Sequence, residues 1–249
     1  MDADNASPDP LPVLPKQSSP QKRVAIMLTA CVILYVVAAY VVFPALWKAY
    51  SRHHPSFDDN PRITQTNDGH PGDPLNVGLV GTESQVKAIM RSAKWYAADA
   101  LGLQNDVKIA VDTVLDWSYD QAPVSSLYLF GRKEDLAFEQ PVGANPRHRH
   151  HVRFWRSSKT AEDGRPVWVG SATYDKSVGF SHTTGQVTHH IDADIDTERD
   201  HVLATLEQTQ ELIESYKIRG FHKNLQGRNG GGDPWHTDGD LAVGVIATN

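Results

Sequence analysis

The sequence predicts an α+β domain, a mainly antiparallel sheet with flanking helices, preceded by one transmembrane helix. Three observations carry this. Residues 24–47, VAIMLTACVILYVVAAYVVFPALW, hold no charged side chain. After Pro123 the apolar residues recur at every second position in five successive segments, the period of strands. Before and after that block they recur at three and four, the period of helices. Helices at both ends of a run of strands fit an α+β arrangement, whereas a doubly wound nucleotide fold needs the two to alternate.

With 249 residues, 40% hydrophobic and 22% charged, the chain can build one core and carry extra segments. The net charge of -6 argues against a nucleic-acid partner, which calls for a basic surplus. Cys31 is the only cysteine, so no disulfide can form within the chain and the core must hold the fold.

Residues 1–23 begin with a proline-rich stretch that has almost no core-forming run and read as a disordered amino-terminal tail. Residues 24–47 would reach roughly 36 Å as a helix, enough to cross a hydrocarbon core of about 30 Å. Lys22, Arg23 and Lys48 bracket the run, and Tyr35, Tyr40 and Trp47 suit its interfaces. A competing anchor is LTAC, Leu28 to Cys31, which has the form of a bacterial lipobox. The twelve apolar residues after Cys31 argue against it, because a lipidated chain turns polar there. Either anchor makes the lipid bilayer a partner. Lys16, Lys22 and Arg23 against Lys48 and Arg52 lean toward a cytoplasmic amino terminus, with the large domain outside. Residues 48–74, with Pro55, Pro61, Pro71 and Pro74, read as a linker, and residues 75–249 as the folded domain.

In that domain TESQ opens a helix, because Thr82 can cap the backbone and Gln85 can reach back. Val86, Ile89, Met90, Ala93, Ala97 and Ala100 continue it to Gly102. The spacing of residues 106–117 predicts a second helix with Ile109, Ala110, Thr113, Val114 and Trp117 on one face. SSLYLFGR, DLAFEQP, RHHVRFW, PVWVGSATYD and GQVTHHI are five strands. A third helix is expected from Thr197 to Tyr216, capped by Asp196 or Thr197, with Glu198 and Asp200 suiting the positive end of its dipole. QGRNGGGDPWHTDGD is a loop and LAVGVIA a closing strand.

Strand alternation says which side chains travel together. His150, Val152 and Phe154 share one face, which reads as core; Arg149, His151, Arg153 and Trp155 share the other. If the HHI strand pairs with this one, His190 joins Arg149, His151 and Arg153 in a cationic stripe able to hold phosphate or carboxylate, with histidine placed for proton transfer. The competing reading is a solvated sheet face. His150 and His189 read as satisfied core histidines. DADID lacks the glycine and terminal glutamate of a calcium loop, since Thr197 and Leu203 stand there. A zinc site would need His151, Asp175, His189 and His190 to converge, and no short ligand spacing supports one, so no metal is expected. GxGxxG, GxxxxGK and GxSxG are all absent, which removes the parts for dinucleotide, P-loop and serine-elbow chemistry. The cofactor is left open by the sequence.

SSLYLFGR, RHHVRFW, PVWVGSATYD, THHI and DTERD, in this order, resemble the LssY carboxyl-terminal domain family over about Leu75 to Leu206. The resemblance points to Gly131 and Arg132, to Arg149, His151, Arg153 and Trp155, to Trp168, Gly170 and Asp175, to His189 and His190, and to Asp196, Glu198, Arg199 and Asp200. It implies a bacterial envelope protein, with other envelope or secretion proteins as partners. Longer relatives are similar to fusions with multi-spanning DedA-like and lipid-phosphatase-like regions, which this chain lacks. The expectation is a membrane-anchored accessory or binding module linked to secretion or envelope lipids. Its alternative is a hydrolase acting on phosphorylated or lipid-linked substrates. The candidate functional residues are Arg132, Arg149, His151, Arg153, Asp175, His189, His190 and Arg199.

Overall fold

The computed structural model describes residues 19–51, 54–98, 126–143, 148–183 and 187–248, in two compact units that divide between Tyr50 and Ser51. The helix predicted over residues 106–117 lies outside the described residues. The described residues of the amino-terminal unit belong to a helix, Pro20–Ser51, with a mean hydropathy of 2.6 in its most apolar stretch, long and apolar enough to cross a membrane. Ser19 caps it, accepting a hydrogen bond from Lys22 N at 3.4 Å. Pro20 occupies the first turn, where a missing N–H costs little. Pro44 cannot donate to the carbonyl four residues back and its ring crowds it. The ladder widens there into a π turn, Ala38–Val42, with Phe43 N–H reaching Ala38 O.

The second unit is the α+β domain. Its strands are β1 (Ile63–Thr66), β2 (Pro71–Pro74), β3 (Val77–Val80), β4 (Tyr96–Ala97), β5 (Leu127–Leu129), β6 (Arg132–Lys133), β7 (Leu136–Pro141), β8 (Arg149–Thr160), β9 (Pro166–Phe180), β10 (Val187–Ile191), β11 (Leu212–Ile218), β12 (Gln226–Arg228), β13 (Pro234–His236) and β14 (Leu241–Ile246). An eight-stranded sheet runs β11-β14-β3-β9-β8-β7-β4, with β10 also on β9. A four-stranded sheet runs β2-β1-β5-β6, and β12 and β13 form a hairpin. β9 pairs with β8 along one edge, while its other edge takes β3 at Val167–Gly170 and then β10 at Asp175–Phe180.

Two cores lie on opposite faces of the large sheet. On one, the helices Glu83–Ser92 and Ile195–Glu207 bring Val86, Ile89, Met90, Val202 and Leu206 against Val152, Phe154, Trp168 and Ala172. On the other, Trp155, Val167, Val169 and Val243 pack with Phe57, Leu127, Leu129 and Phe221. The predicted capping box is present: Gln85 N donates to Thr82 Oγ1 at 3.3 Å and Thr82 N to Gln85 Oε1 at 2.8 Å. β3 and β14 are buried at every position, so they read as unbroken apolar runs. They pair in parallel, Ala242 opposite Val77. The β5–β6 hairpin turns on Phe130 and Gly131, both at positive φ, 53° and 73°.

Several expectations change. The first helix of the domain ends at Ser92 instead of Gly102, because Lys94 takes a positive φ of 62° and Tyr96–Ala97 pairs with β7 as β4, and the stretch read as a loop holds the paired strands β12 and β13. The third helix ends at Glu207 instead of Tyr216: Gln210 takes a positive φ of 60°, and LIESYKI then alternates as β11, leaving Ile213 exposed. Its cap is Asp194, which accepts from Asp196 N and Thr197 N. Strand structure begins before Leu75, with β1 and β2 lying in the segment read as linker and Phe57 buried.

Gly170 allows the closest contact in the first core. A Cβ there would stand 2.6 Å from the Phe154 ring and 2.8 Å from the Arg153 carbonyl. Gly170→Ala is expected to destabilise the domain by about 1–3 kcal/mol through overpacking. Chemical denaturation of the full chain in detergent measures it.

Candidate functional site: a polar cavity between two sheets

Along β8 the inner face changes from Trp155 to Arg153, His151 and Arg149, and along β9 from Val169 to Ser171, Thr173 and Asp175. The register places Arg153 opposite Ser171, His151 opposite Thr173 and Arg149 opposite Asp175. This face is not solvated: His151 is 3% exposed, Arg153 5%, Thr173 3% and Asp175 2%. Over it lies a cavity of about 560 Å³. Its floor is His151, Arg153, Thr173 and Asp175, and its wall is His189 and Ile191 of β10. Asp73 on β2, Tyr128 on β5 and Lys133 on β6 close it from the small sheet, together with the Asn229–Gly231 turn.

The cations of the expected stripe come with counter-charges. Arg149 donates through Nη1 to Glu139 Oε2 at 2.9 Å and through Nε to Asp175 Oδ2 at 3.1 Å. Its Nη2 lies 3.1 Å from His189 Nε2. Arg153 Nη1 is 3.6 Å from Asp73 Oδ2, and its Nε is 4.0 Å from Glu134 Oε1. Two ionisable groups are displaced in opposite directions. Burial lifts the Asp73 carboxyl above its usual range, against the pull of Arg153 and of Asn229, which donates to it at 3.0 Å. Burial, then Arg153, Arg149 and His189, hold the His151 imidazole well below its ordinary value, so it stays neutral.

β8 and β10 do not pair; β9 lies between them. The strand partner and register decide which face of β10 turns inward, and alternation alone cannot supply them. His189 therefore joins His151 and Arg153 at the cavity. His190 turns away, its Nδ1 2.7 Å from Asp233 Oδ1. Of the sequence candidates, His151, Arg153, Asp175 and His189 line the cavity, and Arg149 braces Asp175 and His189. Arg132 is elsewhere, forked onto Asp135 at 3.1 and 2.8 Å. Arg199 is 1% exposed and fastens the 238–240 turn to the Ile195–Glu207 helix, donating to Asp238 and to Asp240 O as well as to Asp196 and Asp200. On the helix face, His150 Nδ1 meets buried Glu198 at 2.7 Å and its ring stacks on His201.

Asp73, Asn229 and Lys133 escaped sequence reading. Asp73 sits in what reads as linker, and Asn229 in a glycine run whose only signal is a turn. For metal, the convergent set among the described residues is His182, His190 and Asp233, which shares only His190 with the zinc ligands considered from sequence.

Fold and site together define an α+β domain with a polar cavity, preceded in sequence by a helix long and apolar enough to span a membrane. The family described as LssY C-terminus matches residues 57–241, and the chain belongs to it. The match covers β1 and β2, so it is wider than the resemblance read from motifs. No curated protein and no solved structure matches the chain.

A histidine buried neutral has a pH signature. Below about pH 6.5 the unfolded chain takes up a proton that folded His151 refuses, so stability present above that pH is lost as pH falls toward the depressed folded value. His201 and His222, also lowered by burial, act in the same sense. The denaturation midpoint is expected to drop between about pH 6.5 and 5, and less steeply in His151→Gln. An equal slope in that variant would assign the acid sensitivity to the other histidines.

Proposed function

We propose that this protein is a membrane-tethered binding module of the bacterial envelope, its domain outside the cytoplasm, taking a small polar ligand with an anionic group into the cavity. The observation that carries this is the half-open cavity itself, with Arg153 on its floor and Lys133 at its edge. Such a pocket admits a head group or a small phosphoester. It does not suit an extended polyanion, because Asp68, Asp73 and Asp175 line the same space. Arg153 and Asp73 would orient the ligand as donor and acceptor, and neutral His151 would add a hydrogen bond. The apolar helix and its basic flanks support the tether, and the family supports a role beside envelope lipids or secretion proteins.

A second reading is a hydrolase acting on phosphorylated or lipid-linked substrates. It is favoured by the opposed displacement of Asp73 and His151, a carboxyl inclined to keep its proton and an imidazole inclined to lack one, on a single cavity.

Lys133 is exposed, so it tests the site without disturbing the core. Calorimetric titration of the full chain in detergent with glycerol phosphate is expected to show binding that weakens at high salt and falls roughly two- to fivefold in Lys133→Ala. Binding unchanged by both would remove the anionic ligand. Turnover of a phosphoester panel, lost in Asp73→Asn, would select the hydrolase; no turnover leaves the binding module.

A further inference from the structure

We propose that His182, His190 and Asp233 bind one divalent transition-metal ion of the zinc class, next to the cavity but outside its lining. Their donor atoms all lie within 4.8 Å of one another, although they stand far apart in sequence and come from three segments. His182 follows β9, His190 is on β10 and Asp233 precedes β13.

The backbone is shaped around these side chains. Gly179 on β9 lies under the His190 ring, and a Cβ there would stand 2.7 Å from Nε2. Gly232 has φ +88°, a conformation that favours glycine, and a Cβ there would stand 2.7 Å from the His182 Cβ. Two side-chain-free positions thus give the two imidazoles their room. The segments are also fastened to each other: His182 N donates to Gly231 O at 2.9 Å, and Thr183 Oγ1 to Gly230 O.

Asp233 is buried and fixed. Its N donates to Asn229 Oδ1 at 2.9 Å, and its Oδ2 accepts from Ile191 N at 3.3 Å. His190 Nδ1 stands 2.7 Å from its Oδ1. His182 is exposed, so its ring is free to swing the short distance that metal bonds of about 2.0–2.2 Å require. Two imidazoles and one carboxylate suit zinc, cobalt or iron over calcium and magnesium, which prefer all-oxygen shells. Three protein ligands leave a fourth position for water or a bound group. Asn229, which holds Asp233 through its Oδ1, donates through Nδ2 to Asp73 of the cavity at 3.0 Å, so one side chain braces both sites. The metal site does not depend on which ligand the cavity takes.

The test is zinc competition against a chromophoric chelator, using untagged full chain in detergent after metal stripping. One equivalent is expected to bind. In His182→Ala its affinity should fall at least roughly tenfold, since loss of an outer-shell partner alone costs that much. The metal-free thermal midpoint of the variant should match the parent, because His182 is exposed. Cobalt should give visible bands of a four- or five-coordinate nitrogen and oxygen site. Uptake well below one equivalent overturns the proposal, as does parental zinc affinity in His182→Ala or displacement of zinc by millimolar magnesium or calcium.

Discussion

Arginine cannot be enclosed between two sheets without its counter-charge, and that constraint organises this domain. Arg149 and Arg153 point from β8 into the space between the large and small sheets, where a guanidinium left alone would carry a penalty of several kcal/mol. Glu139 on β7, Asp175 on β9, Asp73 on β2 and Glu134 before β7 answer them. A slip of one residue between β8 and either neighbour would send Glu139 or Asp175 to the helix face and leave Arg149 short of a counter-charge. The ion pairs therefore specify register as much as they stabilise it.

The same pairing explains why a cavity exists. Where the β8–β9 face is apolar, Trp155, Val167 and Val169 reach across and fill the layer together with Phe57, Leu127 and Leu129. Where it is charged, Arg149, Asp175 and His189 bond sideways, within their own sheet. Side chains tied laterally do not fill the space above them. The small sheet bridges the gap from its apolar end, and the polar end remains hollow. Fold and pocket are thus two outcomes of one change in composition along two adjacent strands.

The sequence was most legible where one period rules a whole segment. The charge-free run, the Thr82–Gln85 box and the alternating strands β7, β8 and β9 are local patterns that tertiary contacts reinforce. It was least legible where partners are distant. LIESYKI continues a helical spacing by accident of Ile213, and only its pairing with β14 makes it a strand. VGLV has no alternation because both its faces are covered. At the site, the Arg-x-Arg strand announced the floor, but Asp73 and Asn229 come from stretches that look like linker and turn. Their roles exist only after β2 and the β12–β13 hairpin are laid over β9. His189 and His190 show the limit most plainly: adjacent residues face opposite ways, and β9 decides which one meets the cavity.

The parallel pairing of β3 with β14 bears on how the protein comes into being. β14 lies inside the large sheet, between β11 and β3, and joins residues near 77 to residues near 242. Until Leu241–Ile246 has emerged, β3 has one edge open and Val77, Leu79 and Val80 lack half their cover. A chain that folds as it is made must therefore expose everything up to Ile246 before the sheet can close. Late closure of so long a loop is slow, and it leaves the unclosed sheet exposed to chaperones and proteases meanwhile. The topology that locks the finished domain also makes it a late folder.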